Sequence, residues 1–129
     1  MEPRQKHFRK REAILNCLRS TDSHPSADWV YESVKKQIPD ISLATVYRNL
    51  NLFKEQGIIQ SLGTVGGVER FDGNTAPHVH FVCTECDAVI DLPEMEVPKS
   101  LNQEAERWGG CQVDGCQLIF TGRCAACIK

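Results

Sequence analysis

The sequence predicts an α+β protein in which an N-terminal winged helix-turn-helix domain precedes a small C-terminal α/β domain. Three observations predict this fold: amphipathic segments joined by a short turn, a glycine-centred hairpin after them, and two CxxC pairs in the C-terminal part. At 129 residues the chain has the length of one ordinary domain or of two small ones. We predict a winged-helix domain over residues 1–72 and a metal-binding domain over residues 73–129, joined at the turn-rich segment 72–77.

Three helices are predicted in the N-terminal half. The first covers residues 9–18, where apolar side chains recur on one face. The second follows the N-cap candidate Ser26 and ends before Pro39. The third follows the N-cap candidate Ser42 and ends near Gly57. Its predicted buried stripe consists of Leu43, Val46, Tyr47, Leu50 and Phe53. Helices two and three, joined by a short turn, predict a helix-turn-helix.

Strands are predicted after the third helix. Residues 58–62 and 68–71 flank Gly66 and Gly67, which is the pattern of a hairpin and therefore of a wing. Further strands are predicted at residues 78–83, 88–92 and around 116–120. A helix is predicted over residues 98–108, with Leu101, Ala105 and Trp108 on one face. A unit of about 50 residues buries little apolar surface, so we expect a metal or a second chain to stabilise it.

Composition and charge narrow the function. Hydrophobic residues make up 41% and charged residues 25%, which excludes a disordered or fibrous chain. No apolar run approaches the roughly 18 residues of a membrane span, so we expect no membrane association and a cytoplasmic location. Residues 1–60 hold ten Lys and Arg against seven Asp and Glu, and residues 61–129 hold five against ten. A basic N-terminal half suits a polyanion, and an acidic C-terminal half suits cations.

Four of the seven cysteines form two CxxC pairs. Cys83 and Cys86 make the first pair, and Cys124 and Cys127 make the second. Four thiolates in this arrangement satisfy tetrahedral Zn²⁺, and such a closed site is structural because it leaves no coordination position for a substrate. Free thiols or a redox CxxC are the alternatives. No role is predicted for the other three cysteines, Cys17, Cys111 and Cys116.

A second group of candidate ligands offers imidazoles and carboxylates. His78 and His80 alternate along a predicted strand and therefore share a face. Asp91 falls in the next predicted strand, Asp72 lies just upstream, and His24 lies in the helical half. Ligands of this kind suit Fe²⁺ or Mn²⁺ at least as well as Zn²⁺. Taken singly, each residue also has an ordinary explanation: an exposed strand pair, a turn cap or a loop histidine.

Taken together, the residues resemble the ferric uptake regulator (Fur) family of metal-dependent repressors over about residues 8–127. The motifs that carry the resemblance are ATVYRNL in the third helix, HVHFVCTEC followed by AVIDL, and the second CxxC. The resemblance implies a homodimer with an N-terminal winged helix and a C-terminal dimerisation domain. It implies one structural Zn²⁺ per subunit at the four cysteines, and one regulatory Fe²⁺ or Mn²⁺. The implied regulatory ligands are His24, Asp72, His78, His80 and Asp91.

Asp91 is similar to the aspartate of the peroxide-sensing branch of the family, PerR, where iron-responsive members carry glutamate. The resemblance implies that Fe²⁺ at this site reacts with H₂O₂ and that a ligating histidine is oxidised. The matching histidines are His24 and His78. We therefore expect a repressor that senses peroxide through Fe²⁺ and responds to Mn²⁺ without sensing. An iron-responsive repressor of the same architecture is the alternative.

The predicted third helix is the candidate reader of double-stranded DNA. It offers Thr45, Arg48 and Asn49 on its exposed face. The resemblance adds Tyr47 as a base-contacting aromatic, for which core packing is the alternative. Basic residues at the leading end of the first predicted helix are candidates for phosphate or minor-groove contacts, or form a solvated basic end. Among them are Lys6 and Arg11. One chain offers few such charges, so we expect a dimer on a palindromic operator.

Two other classes of function, a hydrolytic or redox enzyme and a zinc-ribbon interaction module, fit the residues less well. A zinc deaminase needs a glutamate in an H-x-E motif, and the segment 78–80 has a histidine in its place. A disulfide oxidoreductase would need an exchangeable disulfide rather than a closed zinc site. A zinc-ribbon interaction module with no DNA partner would leave the helix-turn-helix unexplained. We therefore predict that the chain is not an enzyme.

Overall fold

The computed structural model describes residues 3–76 and 78–129. Along them run three helices, a two-stranded hairpin, two further strands, a helix and a last strand. The chain divides into two compact units, the first ending at Thr75 and the second spanning Ala76–Lys129. The α+β class with an N-terminal winged helix is confirmed. None of the described helices has the length and apolarity that a membrane crossing requires.

The first unit begins with three helices. They are α1 (Pro3–Arg19), α2 (Ala27–Lys35) and α3 (Leu43–Glu55). The predicted start of α1 at residue 9 was too late, because the polar residues before it are good helix formers and proline is tolerated in a first turn. Both predicted N-caps are present: Ser26 Oγ accepts from the backbone N–H of Trp29, and Ser42 Oγ accepts from that of Thr45.

One apolar core joins these helices. It takes up Ile14 and Leu18 from α1 and Val46, Leu50 and Phe53 from α3. The last three residues recur at the helical spacing and point to one side. The prediction that Tyr47 belongs to this buried stripe was wrong: its side chain is 43% exposed. One residue advances about 100° around a helix, which turns Tyr47 out of the core.

The wing follows α3. Strands β1 (Gln60–Val65) and β2 (Val68–Asp72) pair antiparallel around Gly66 and Gly67, both with positive φ. A two-residue turn of this kind needs positive φ at both positions, which is why glycines occupy them. The first strand begins two residues later than predicted, because Ile59 enters the helical core instead.

The described residues of the second unit form one sheet and one helix. The elements are β3 (Val79–Cys83), β4 (Val89–Leu92), α4 (Ser100–Gly109) and β5 (Ile119–Gly122), with sheet order β4-β3-β5. Strand β3 pairs antiparallel with β4 and parallel with β5. The last strand begins three residues later and ends two residues later than predicted.

Little apolar surface is buried in this unit. Its buried apolar side chains, within residues 76 and 78–129, are Val79, Cys83, Val89 and Cys124. Helix α4 has no buried residue, and Trp108 is 79% exposed. The apolar face predicted for α4 therefore lies on the surface of this unit.

Candidate metal centres and nucleic-acid interface

Four thiols meet in the second unit. The Sγ atoms of Cys83 and Cys127 are 3.7 Å apart, as are those of Cys86 and Cys124, and all four lie within 4.8 Å of one another. A tetrahedral Zn²⁺ with bonds of about 2.3 Å separates its sulfur ligands by about 3.8 Å. A disulfide would bring two of them to about 2.05 Å. The cluster therefore fits a structural Zn²⁺.

The sheet explains why these cysteines meet. Cys83 ends β3, and its register partner in the parallel strand β5 is Gly122, two residues before Cys124. The backbone N–H groups of Cys86 and Cys124 lie 3.5 and 3.4 Å from Cys83 Sγ. These N–H groups lower the pKa of Cys83 to about 6. That thiol is therefore largely a thiolate at neutral pH, the form that binds a metal.

The environment of Cys127 favours a bound cation in the four-thiol cluster. The side chains of Cys124 and Cys83 raise its pKa, because hydrogen bonds between thiols and a neighbouring negative charge favour the protonated form. A divalent ion offsets the repulsion among thiolates, and binding then releases protons.

Three of the predicted regulatory ligands come together in the second unit. His80 in β3 is the register partner of Asp91 in β4. The Nε2 atoms of His78 and His80 both lie 3.3 Å from Asp91 Oδ1, and the two rings are 4.2 Å apart. Two ligand atoms bound at about 2.1 Å to one ion lie about 3.0–3.4 Å apart when they occupy neighbouring positions. The spacing therefore suits three ligands of one ion.

The orientation of His78 also suits metal binding. Its Nδ1 lies 2.6 Å from the carbonyl oxygen of Ala76. A carbonyl only accepts, so Nδ1 carries the proton and Nε2 presents its lone pair towards Asp91. Metal-bound histidines commonly hold a backbone carbonyl in this way.

The other two predicted ligands are neighbours in the first unit. His24 Nδ1 lies 3.6 Å from Asp72 Oδ2, and both side chains are at least 95% buried. Asp72 ends β2, and its Oδ1 accepts the backbone N–H of Asn74 at 2.9 Å, which fixes the carboxylate. His24 has a φ of 53°, a conformation that residues other than glycine rarely adopt and that is frequent at functional sites.

The candidate DNA-reading surface is the exposed face of α3. Tyr47 and Arg48 are exposed there, and Asn51, one turn further along, adds an exposed amide that was not predicted. Thr45 and Asn49 are already engaged in the helix. The Thr45 hydroxyl lies 2.9 Å from Ser42 Oγ, and Asn49 Nδ2 donates to the Thr45 carbonyl at 2.9 Å. Tyr47, Arg48 and Asn51 therefore have the greatest freedom to contact bases.

The two predicted basic residues of α1 differ in their surroundings. Lys6 is exposed. Arg11 is half-buried, with its guanidinium 5.3 Å from the centre of the Phe53 ring. A cation over an aromatic face is attracted to it, so Arg11 also stabilises the packing of α1 on α3.

The three remaining cysteines do not belong to the four-thiol cluster. Cys17 is half-buried against the helical core, and burial raises the pKa of its thiol, which lowers its reactivity. Cys111 and Cys116 are exposed.

Comparison with known proteins is consistent with this geometry. Residues 4–121 match the ferric uptake regulator family. The peroxide-responsive repressor PerR of Staphylococcus epidermidis is 38% identical over 96 residues, covering 73% of this chain and 64% of that protein. PerR of Staphylococcus aureus strain USA300 is 33% identical, covering 92% of this chain and 79% of that protein. The crystal structure of the Campylobacter jejuni peroxide stress regulator has a TM-score of 0.81 at 30% identity, covering 98% of this chain and all of that one.

Proposed function

The chain belongs to the ferric uptake regulator family, and we propose that it is a metal-dependent transcriptional repressor that senses hydrogen peroxide through Fe²⁺. Relatives at 33–38% identity named as peroxide-responsive repressors support the sensing branch. The observation that carries the proposal is the group of His78, His80 and Asp91, in which an aspartate stands at the position that distinguishes the two branches.

The proposed regulatory site joins the two groups of ligands around one Fe²⁺ or Mn²⁺ ion. His24 and Asp72 alone offer two ligands, too few for these ions, whereas His78, His80 and Asp91 add three. Three imidazoles and two carboxylates would hold the ion, and these ligand types suit the redox-active Fe²⁺ as well as Mn²⁺. An ion that needs ligands from both units would couple its own binding to the pose of the helix-turn-helix. Release of the ion would then release DNA.

Peroxide sensing follows from the ligands around this ion. When bound, Fe²⁺ would supply the redox chemistry that cleaves the O–O bond of H₂O₂, which Mn²⁺ would not. In the net reaction one peroxide oxygen is added to an imidazole and the other leaves as water. The proposed targets are His24 and His78. An oxidised imidazole is a poorer ligand, so the modified protein would lose its metal and its operator.

The proposed working form is a homodimer that holds a palindromic DNA site in the cytoplasm, with Zn²⁺ at the four cysteines. Two observations support a dimer. Phe81 is the register partner of Ile90 on one side and of Phe120 on the other, so the three side chains form an apolar row across the sheet. Ile90 and Phe120 are at least 40% exposed. Trp108 and Leu101 of α4 are exposed as well. A second copy would cover this surface.

The reading of DNA is proposed for α3, with Tyr47 against thymine methyl groups and Arg48 on guanine. Thr45 and Asn49 would then position the helix, while Lys6 and Arg11 would contact phosphates. Removal of a base-reading arginine typically costs about 1–3 kcal/mol of discrimination at one base pair.

Mass spectrometry tests the sensing step. The zinc-containing protein is loaded anaerobically with Fe²⁺, treated with H₂O₂ and digested. We expect a gain of one oxygen atom on peptides that contain His24 or His78. The Mn²⁺-loaded protein is the control and should gain none. Asp91→Glu is the matched variant, and we expect it to bind Fe²⁺ with much less oxidation. Absence of oxidation in the wild type, with DNA release on iron removal alone, would favour an iron-responsive repressor instead.

A further inference from the structure

The loop that carries His24 is attached to strand β2 by consecutive hydrogen bonds. The Arg70 side chain donates through Nη2 to the carbonyl of Ser23 at 2.8 Å and through Nε to the carbonyl of His24. The backbone N–H of Phe71 donates to the carbonyl of Pro25 at 3.0 Å. Three successive carbonyls of the loop thus accept from two adjacent residues of β2.

This attachment fixes the backbone at an unusual point. His24 has a positive φ, and proline follows it, so the chain has few comfortable conformations there. The two Arg70 hydrogen bonds hold the carbonyls of Ser23 and His24, which flank the α-carbon of His24, in one orientation. In that orientation the His24 ring lies beside Asp72, the residue that ends the same strand. One strand therefore supplies a ligand and the group that positions the other.

The charge of Arg70 and the geometry of its hydrogen bonds have opposite expected effects on metal affinity. A guanidinium close to the two proposed metal ligands, His24 and Asp72, repels a divalent ion. Charge alone therefore predicts that Arg70 weakens metal binding. Its planar group with fixed donor directions is nevertheless suited to holding two carbonyls at once, which the single ammonium of lysine does less well. The two effects have opposite signs and can be separated by experiment.

We propose that Arg70 is a positioning residue of the regulatory metal site, which holds His24 beside Asp72 before the ion arrives. The proposal rests on the proposed function, because it assumes that His24 and Asp72 are metal ligands. It assigns to the wing strand a part in metal affinity as well as in fold. Loss of Arg70 should release the loop, and the ion would then have to order it on binding.

The test is calorimetric titration of Mn²⁺ into the full-length, zinc-containing protein. We expect Arg70→Met to weaken Mn²⁺ binding by about 10–100-fold, the usual effect of removing a group that orients a metal ligand. Arg70→Lys keeps the charge with one donor group and should give an intermediate affinity. Arg19→Met is the control: this exposed arginine packs beside Gly73, next to Asp72, and its loss should leave the affinity unchanged or slightly raise it.

Hydrogen exchange gives a second measurement that needs no metal. In the zinc-containing protein without Mn²⁺, the amide of Phe71 should exchange faster in Arg70→Met than in the wild type, because its carbonyl partner belongs to the released loop. Zinc content should not change. If Arg70→Met fails to fold, Arg70→Lys decides on the same two measurements.

Two results separate the proposal from the function on which it rests. Equal or tighter Mn²⁺ binding by Arg70→Met, with normal binding by the wild type, would overturn the positioning role and leave the repressor function standing. Absence of Mn²⁺ binding in the wild type would overturn the regulatory site itself.

Discussion

The first unit buries an apolar cluster drawn from its three helices and the wing, whereas the second buries little beyond Val79, Val89 and two of its cysteines. The helices differ in the same way. Helices α2 and α3 each begin at a serine cap and bury one face, while α4 has no side-chain cap and no buried residue. The first unit is therefore stabilised by its own core, and the second needs an ion and a covering surface. This difference lets each unit be perturbed separately.

The largest effect is expected from loss of the zinc cluster. Cys124→Ser removes one of four thiolates, and structural zinc contributes about 10–16 kcal/mol of apparent binding energy in small domains, more than such a unit has in stability. We expect zinc loss and unfolding of the second unit, seen as loss of hydrogen-exchange protection at the backbone amides of β3, while the amides of the first unit stay protected.

Cys116→Ser is the matched control for that experiment, because Cys116 is exposed. It should leave zinc content and both units unchanged. A folded second unit in zinc-free Cys124→Ser would show that the sheet is stable without the ion.

The next largest effect is expected from the helical core. Phe53 is fully buried, and Phe53→Ala should lower the free energy of unfolding of the first unit by about 3–5 kcal/mol through lost burial and the cavity left behind. Urea unfolding followed by Trp29 fluorescence, in a Trp108→Phe background, measures this change. The neighbouring Leu52 is 41% exposed, so Leu52→Ala should change the value by less than about 1 kcal/mol. Similar losses for both variants would contradict the assigned core, as would loss of zinc in Phe53→Ala.

A smaller effect is expected from the cap of α3. Ser42 Oγ accepts the backbone N–H of Thr45 at 3.1 Å, and Ser42→Ala should cost about 1 kcal/mol of stability in the first unit. Thermal unfolding measures it. Ser100→Ala serves as the comparison, because the N-terminus of α4 has no side-chain cap bond. An equal loss from the two changes would mean that capping does not distinguish the units.

The smallest effect is expected from the contact between the wing and α3. The hydroxyl of Ser61, with help from Lys54, lowers the pKa of Glu69 below its ordinary value of 4.5. Because the folded-state pKa is the lower one, the stabilisation is present above about pH 4.5 and is lost as the pH falls through the folded pKa. The group is 35% exposed, so the gain is less than about 1 kcal/mol.

Melting temperatures of the wild type and Glu69→Gln test this contact. The variant should be slightly less stable at pH 6, and the difference should shrink as the pH falls towards 3. A difference that stays constant with pH would assign the effect to packing rather than to charge.

Local sequence patterns predicted much of the fold. Serine caps, helical periodicity and the paired glycines of the wing act over a few residues, and the sequence shows them directly. The two CxxC pairs were equally informative, because thiolate pairs at this spacing have few other uses. Tyr47 was misplaced because it sits at the border of the apolar stripe, where one residue of rotation decides between core and solvent.

Long-range contacts of polar side chains could not be predicted. Arg70 reaches carbonyls more than forty residues away in sequence, and neither its type nor its neighbours indicate this. The position of Arg11 over the Phe53 ring is of the same kind, since a basic residue near a helix end suggests solvent or phosphate. For α4, the helical periodicity predicted an apolar face, but it could not indicate which surface covers that face.

Binding of DNA by the metal-loaded dimer tests the proposed function most directly. Fluorescence anisotropy would follow a labelled duplex selected from a random library by the Mn²⁺-loaded protein. With Fe²⁺ under anaerobic conditions, we predict that H₂O₂ releases the duplex and that fresh Fe²⁺ does not restore binding. With Mn²⁺, the same peroxide should leave the complex intact. An Fe²⁺-loaded complex that survives peroxide, or that re-forms fully when Fe²⁺ is replenished, would contradict sensing through oxidation of the ligand histidines.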